Sequence, residues 1–362
     1  MRAFYRLFPP PKYLSVPSVG LDLSDRSFKY IALSKAHHGV RIEKYGKVST
    51  PPGIIESGII KKRKELVDLL ASNSLHLNIE YAAISLPEEK AFLYVTELPL
   101  MDKDKIRDAV EVQLEEHVPL PPHEVVFDFE VLPVNDAKNG PIDVSVAAYP
   151  KSIIDEYRDV LEEAGITPVS FEIEAQSIVR AVIPQGSGGA VLIIDFGKTR
   201  TSFFIVSSGQ LRFTTTINVG GEAIDRAISK NFKVDISKAE GIKKEQGNIF
   251  NMAPDSDVYT AIMPIASVIK DEAEKSLDFW ETHAEHLHDN SRIKIEKIIL
   301  CGGDANLYGL PEYLSRSLKV KTELANVWVN VVSLEDYIPE ISFRESLGYA
   351  TAIGLGLKIL ET

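Results

Sequence analysis

The 362-residue sequence predicts a two-lobed α/β fold with a small α+β insertion in the first lobe, and three observations predict it. Val19-Gly20-Leu21-Asp22-Leu23-Ser24-Asp25-Arg26-Ser27-Phe28-Lys29-Tyr30-Ile31 reads as an apolar strand ending in Asp, a tight turn and a second strand. Half a chain later, Val191-Leu192-Ile193-Ile194-Asp195-Phe196-Gly197-Lys198-Thr199-Arg200-Thr201-Ser202-Phe203-Phe204 repeats that pattern. Ile298-Ile299-Leu300-Cys301-Gly302-Gly303-Asp304-Ala305 then follows as a buried strand that turns on two glycines. Each half therefore opens with the same strand–Asp–turn–strand hairpin, and the length of the chain favours two lobes over a single core.

Strands are expected near 18–23, 26–34 and 40–48, a meander that begins with the first Asp turn. The basic run Lys61-Lys62-Arg63-Lys64 is a solvated face leading into a helix that carries Leu66, Leu69 and Leu70. From about 86 to 168 the texture changes. Strands near 81–86 and 91–98 precede a helix over 102–117, where Ile106, Val110 and Leu114 recur at spacing four. Val118-Pro119-Leu120-Pro121-Pro122 stops it. Strands near 124–133 and 142–149 flank a turn over 135–141, and a helix follows with Ile153, Ile154, Tyr157, Val160 and Leu161 on one face, ending at Gly165. This alternation predicts a two-layer insertion of about eighty residues with its own core.

Gly186-Ser187-Gly188-Gly189 is the hinge candidate before the second hairpin. Strands run to about 218, helices start at Gly221 and Asp235, and a long helical region covers 259–288 with Ile265, Ile269, Leu277 and Trp280 near helical spacing. A small-residue helix, Glu345 to Gly356, closes the chain. The resulting division is a tail over 1–17, a first lobe over 18–188 with the insertion inside it, a second lobe over 189–340 including a helical part at 220–290, and a C-terminal helix over 341–362 that returns to the first lobe.

Apolar content of 44% and 25% charged residues describe an ordinary globular protein, and a formal charge of −12 argues against a nucleic-acid binder, which needs a basic face. One cysteine, Cys301, excludes an internal disulfide framework and a cysteine-based zinc site, and fits a reducing compartment. No apolar run approaches the ~18 residues of a spanning helix. The basic, aromatic start Met1–Phe8 breaks at Pro9-Pro10-Pro11 without an apolar core or cleavage site, so it is read as a frayed tail and not a secretory signal.

A turn of the Asp-hairpin type leaves backbone N–H groups free to face an anion, and its Asp stands where a Mg²⁺ shell can be held. Two copies facing each other make a phosphate clamp. The glycines at 302–303 let backbone approach a ligand, and a following helix start favours negative charge. Two look-alikes overlap Asp195. Gly197-Lys198-Thr199 resembles the end of a Walker A loop, but the first glycine of that motif would fall on Leu192, inside the strand. Asp195-Phe196-Gly197 imitates the kinase magnesium motif without its His-Arg-Asp loop. His283, His286 and His288 lack a well-placed third ligand and read as a polar helix end, His37-His38 reads as a loop, and Cys301 as a small buried core residue.

The two Asp hairpins, the paired glycines and the closing small-residue helix resemble the nucleotide-binding elements of the actin–Hsp70–sugar kinase superfamily, with its ribonuclease H-like lobes. Glu172-Ile173-Glu174-Ala175-Gln176 sits where that superfamily has its first connecting helix. Val19-Gly20-Leu21-Asp22-Leu23-Ser24, Val118-Pro119-Leu120, Val219-Gly220-Gly221-Glu222-Ala223-Ile224 and Ala305-Asn306-Leu307-Tyr308-Gly309-Leu310 resemble the PilM family of actin-like type IV pilus assembly components. The placing of the insertion is shared with PilM and the division protein FtsA. The resemblance covers about 18–360.

It implies that Asp22 and Asp195 orient Mg²⁺ through water, and that ATP lies between the hairpins. Ser24, Asp25, Arg26, Ser27 and Lys29 from the first hairpin, with Gly197, Lys198 and Thr199 from the second, would surround the phosphates, joined by Gly220 and Gly221. Glu240 and Lys243 would contact the ribose, while Gly302, Gly303 and Asn306 flank the adenosine. Glu174 sits where relatives place the side chain that positions the attacking water. Ser24 stands in place of a common glycine, Asp25 adds an acid and Ala175 replaces a frequent proline, which leaves ATP binding expected and weak or no hydrolysis.

The function implied is an ATP-binding cytoplasmic scaffold of a type IV pilus or related secretion machinery. It would reach the inner membrane through a partner, docking the N-terminal tail of a PilN-like membrane protein between the insertion and the first lobe. A small-molecule kinase is the second reading, with Asp25 or Glu174 as base toward an acceptor hydroxyl, although no acceptor-binding loop is evident. An FtsA-like filament protein is the third, and it normally ends in a basic amphipathic helix where this sequence offers Lys358 alone. Self-association stays open.

Overall fold

The computed structural model describes residues 18–35, 39–132, 140–249, 256–283, 294–331 and 337–361. The tail over 1–17, His37-His38, most of the turn over 135–141 and the histidines at 286 and 288 lie outside them.

The first sheet grows from β1 (Ser18–Ser24), whose residues Val19 to Leu23 are all buried. A two-residue turn at Asp25-Arg26 returns the chain as β2 (Ser27–Lys35), and β3 (Val40–Ser49) extends the meander. A short hairpin, β4 (Ile55–Glu56) and β5 (Ile59–Ile60), precedes helix α1 (Arg63–Leu77). Then β6 (Tyr81–Leu86) pairs parallel with β1, and later β10 (Thr167–Ile173) pairs parallel with β6, giving the order β10-β6-β1-β2-β3. The second sheet repeats the plan. Strands β11 (Ala190–Phe196), β12 (Thr201–Ser207) and β13 (Gln210–Ile217) form the antiparallel meander, and β14 (Ile295–Cys301) and β15 (Lys321–Leu324) add in parallel to give β13-β12-β11-β14-β15. The repeat legible in the two hairpins is thus a repeat of whole sheets.

Between β6 and β10 lie β7 (Phe92–Leu98), helix α2 (Lys103–His117), β8 (Val125–Val131), β9 (Ile142–Pro150) and helix α3 (Lys151–Glu163). The three strands make a separate sheet in the order β7-β9-β8. Ile106, Val110 and Leu114 of α2 pack with Leu98, Val144, Val146 and Phe127 into a core distinct from that of the lobes. Helix α3 faces the other way: Tyr157, Val160 and Leu161 belong to the main core, and the Tyr157 hydroxyl donates to Gly58 O at 3.0 Å.

Helix α4 (Glu174–Val182) follows β10 directly; α5 (Gly221–Phe232), α6 (Ile236–Gln246) and α7 (Asp257–His283) cover the second lobe. Asp235 caps α6 by accepting from Lys238 N at 2.8 Å. After α8 (Leu310–Leu318) and the short α9 (Phe343–Ser346), helix α10 (Ala350–Glu361) comes back to the first sheet. Its small residues explain how close it comes. A Cβ on Gly354 would stand 1.8 Å from Ser177 O of α4, and one on Gly20 of β1 would stand 2.2 Å from Ala352 O. Among the described residues, no helix is long and apolar enough to cross a membrane.

Candidate functional site

The turns of the two hairpins meet across the cleft between the lobes. Asp22, 3% exposed, is paired across the sheet with Lys29, which donates to Asp22 Oδ2 at 3.1 Å. Asp195 holds the equivalent place on β11, paired with Ser202 on β12 and Cys301 on β14. Burial pushes the Asp195 carboxyl up to about 6, and the Asp22 charge adds to the rise against the pull of Arg200 and Lys29. Cys301, fully buried with its Sγ 4.0 Å from Asp195 Oδ1, has its thiol pushed up by burial and by that carboxylate, so it is an inert core residue.

Gly302 turns the third strand back on this pair. Its φ of +94° suits glycine, and a Cβ there would stand 2.4 Å from both Asp195 Oδ1 and Phe196 O. Gly303 faces open space, and a Cβ on Gly348 would lie 3.4 Å from Gly303 Cα and 3.7 Å from Lys29 Cε. Gly302, Gly303 and the segment before α10 therefore converge on Asp22, Lys29 and Asp195. Farther along, Asn306 donates to Gly303 O at 3.2 Å and Arg344 O at 2.7 Å. Its Oδ1 is buried and lacks a hydrogen-bond partner among the described residues. Arg344 lies over the exposed ring of Tyr308 at 3.9 Å.

The cleft gathers cations in an acidic chain. Asp22, Lys29 and Lys47 form one row across β1, β2 and β3, so two lysines stand directly opposite one another. Burial and then the Lys29 charge push Lys47 below the usual lysine range, and Lys198 and Lys244 of the second lobe add to the effect. Like charges paired across strands are destabilising unless an anion sits between them. Lys198 donates to Asp225 Oδ2 at 2.7 Å and Glu240 Oε2 at 2.9 Å. Against the upward push of burial, hydrogen bonds with Lys244 and Lys198 hold Glu240 down at about 2. Lys243 is turned inward to Asp225 Oδ1 at 2.9 Å, to Asp304, and to Gly221 O at 3.4 Å.

A second layer of charge ties the lobes together. Asp25, 4% exposed, accepts from Ser57 N at 3.1 Å, Gly58 N at 3.2 Å and, across the cleft, Thr199 Oγ1 at 3.1 Å. Arg26 reaches Glu222 of α5 at 3.0 Å. Arg200, at the end of the second turn, meets Glu174 at 2.9 Å, Glu89 at 3.3 Å and Asp25 at 3.7 Å. Burial, reinforced by Asp22 and Asp195, pushes Glu174 up to about 8 despite Arg200.

Of the residues singled out from sequence, Asp22, Lys29, Asp195, Gly302 and Gly303 stand together. Ser24 and Ser27 close the first turn, Ser24 Oγ donating to Ser27 O at 2.8 Å. Gly197 N–H donates to Arg200 O at 3.0 Å, which closes the second. Gly220 and Gly221 let α5 dock on that turn: Gly221 N and Glu222 N donate to Gly197 O at 2.9 Å and Lys198 O at 2.8 Å. Lys198 and Glu240 face each other at the cleft, whereas Lys243 is committed to buried carboxylates. Asp25, Arg26 and Thr199 serve the inter-lobe contacts, and Glu174 is held by Arg200.

Sequence reading missed Arg200, Glu88, Glu89, Lys47 and Arg344. Arg200 carried a signal, a cation inside an apolar strand–turn–strand run; the others carried none that separates them from surface charge.

The chemistry of this donor set suits a nucleotide with its cation. Buried Asp22 and half-buried Asp195 stand near one lysine, Lys29, which pairs with Asp22; Lys47 lies directly opposite that lysine, and Asn306 Oδ1 lacks a donor among the described residues. Among the described residues no three or more His, Cys, Asp and Glu side chains gather as a metal site. A Mg²⁺ held by Asp22 and Asp195 would therefore complete its shell with water and phosphate oxygen, as that ion usually does.

A cleft of about 980 Å³ opens between the insertion, the first lobe and the β12–β13 turn. Its walls include Val126 to Glu130 of β8 and Phe171 to Ile173 of β10, each the edge strand of its sheet. Leu86 and Tyr149 form part of the floor, with Arg180 and Lys358 at one end.

A family model described as "Type IV pilus assembly protein PilM" matches residues 20–360. Among solved structures, a chain of a PilM-PilN type IV pilus biogenesis complex superposes with a TM-score of 0.79 at 23% identity, covering 96% of this chain and 99% of that one. MreB5 of Spiroplasma citri bound to ADP matches with a TM-score of 0.53 at 15% identity, covering 95% of each chain. At these identities the likeness establishes the actin-like fold. The cell division protein FtsA of Streptococcus pneumoniae is 24% identical over 221 residues, 57% of this chain and 48% of that protein. The chain spans about half the length of the curated relatives it matches.

Proposed function

Because the chain belongs to the PilM family of type IV pilus assembly proteins, we propose that it is a nucleotide-binding scaffold of that machinery, docking the N-terminal tail of a PilN-like inner-membrane protein. The observation that carries the docking half is the cleft of about 980 Å³ bounded by two edge strands. Unpaired strand edges offer backbone donors and acceptors to an extended segment, and alternate side chains of that segment would enter the apolar floor at Leu86, Ile173 and Tyr149. A chain of the PilM-PilN complex, matched along nearly its whole length, lends the partner its name.

The nucleotide half rests on the facing carboxylates of Asp22, which is buried, and Asp195, which is half-buried. Asp22 and Asp195 would hold Mg²⁺ through water, Lys29 and Lys47 would face phosphate oxygens, and Gly302, Gly303 and Asn306 would lie along the nucleoside. The Mg²⁺ supplies charge that neutralises the phosphates. The remaining residues bind and orient: Lys198 and Glu240 flank the entrance, and Arg200 keeps Glu174 away from water. An expected consequence is slow hydrolysis, and a kinase role is disfavoured because both candidate bases, Asp25 and Glu174, are held by hydrogen bonds or ion pairs.

The test is calorimetric titration with a synthetic peptide copying the N-terminal cytoplasmic tail of a PilN-like protein. Binding is expected at micromolar affinity, weakened about tenfold or more by Phe129→Pro, which removes an N–H of β8 that faces away from β9. A peptide that does not bind the folded protein, or that binds both forms equally, rejects the groove as the docking site.

A further inference from the structure

We infer that Arg200 is a positioning residue that reports occupancy of the inter-lobe cleft to the peptide groove, acting through Glu89 and the turn that joins β6 to β7. This rests on the reading of the cleft as a nucleotide site.

Arg200 stands on the second-lobe hairpin with 11% of its side chain exposed, and all three of its carboxylate partners belong to the opposite side of the cleft. Glu174 begins α4, Asp25 is the tip of the first hairpin, and Glu89 lies in the 3-10 turn over Glu88–Lys90. That turn has two sides. On the cleft side, Glu89 holds Arg200, and Glu88 Oε2 accepts from Ala175 N at 3.1 Å, capping α4. On the groove side, the Tyr149 hydroxyl donates to Leu86 O at 3.3 Å and Pro87 O at 3.2 Å, and both Leu86 and Tyr149 line the groove. The turn thus touches the inter-lobe cleft through Glu89 and adjoins the groove through Leu86, just before it, and Tyr149.

Of the two hydrogen bonds that Arg200 makes to carboxylates, the one to Glu89 is the longer; Asp25, at 3.7 Å, is held by three other donors. Glu174 is held at 2.9 Å and Glu89 at 3.3 Å, while Glu89 Oε2 is buried with no hydrogen-bond partner among the described residues. A guanidinium fork matches phosphate geometry, and Arg200 already lies close enough to Asp195 to lower its carboxyl pKa. A phosphate brought to the hairpins gives that fork a stronger partner than the loosely held Glu89. Release of Glu89 frees the turn, and with it the carbonyls that Tyr149 grips. Coupling of this kind is reciprocal, so a groove occupant that moves the turn changes nucleotide affinity by the same factor.

Hydrogen–deuterium exchange on the full chain tests this, with Mg-AMPPNP as the probe and Glu89→Gln as the variant. In the wild type, saturating Mg-AMPPNP is expected to raise exchange at amides in 86–92 and 146–150 by about fivefold, the lower end of typical coupling. Glu89→Gln is expected to show the raised level without any nucleotide, to gain nothing further on adding it, and to bind it about fivefold more tightly, since Arg200 no longer has to leave Glu89. Arg200→Lys, which keeps the charge without the fork, should bind the probe with a reduced groove response. Wild-type and Glu89→Gln proteins that exchange identically in both conditions overturn the coupling. Failure of the wild type to bind Mg-AMPPNP by calorimetry overturns the nucleotide reading itself, a result separate from binding without a groove response.

Discussion

Asp25 shows how much a single buried carboxylate can organise. It accepts from two consecutive backbone amides, Ser57 and Gly58, and from Thr199 across the cleft, while Arg200 balances its charge. Asp25→Ala leaves those donors and a buried guanidinium short of a partner, so a loss of about 2–4 kcal/mol is expected in urea denaturation. Asp25→Asn, which still accepts, should lose less. Burial also raises Glu88 from 4.5 to about 7 and Glu174 from 4.5 to about 8. Across 4.5 to 7–8 the folded chain then holds protons that the unfolded chain has released, so its stability falls as pH rises through that window. Thermal melts of the nucleotide-free protein should show a lower midpoint at pH 8.5 than at pH 5.5, and Glu88→Gln should flatten part of that slope. Lys47 gives a third expectation. If it faces phosphate, Lys47→Gln should weaken Mg-ATP binding about fivefold to tenfold and reduce its salt dependence, read by calorimetry at two ionic strengths.

Among the elements, α10 sets the tightest packing. Its glycines bring it against β1 and α4 at distances a side chain does not allow, so Gly354→Ala should cost about 3 kcal/mol or more by overpacking, measured by denaturant midpoint. Most elements were legible because their periodicity is strong: Ile106, Val110 and Leu114 marked α2, and the alternation after Val118 marked the insertion strands. Strand β10 was missed because Thr167-Pro168 opens it with turn-forming residues and a bulge, and only its pairing with β6 makes it a strand. The β4–β5 hairpin was missed because two-residue strands carry no period. The glycine-rich helix, by contrast, announced close contact through composition alone.

At the scale of the molecule, two sheets of the same order face one cleft, and an Asp near the end of the first strand of each hairpin brings its carboxylate there. Local sequence showed those carboxylates and the glycine turn, since strand, Asp and Gly are contiguous in the chain. The inter-lobe contacts were not legible. Arg200 lies 26 residues from Glu174 and 111 from Glu89, and nothing local to either glutamate says that a guanidinium will reach it. The central claim is that the paired aspartates hold Mg-nucleotide. Isothermal titration of Mg-ATP into the wild type and Asp195→Ala tests it most directly. The account predicts one saturable site in the wild type, weakened about 100-fold or more in the variant. A wild type that does not bind Mg-ATP, or a variant that binds it equally well, would contradict it.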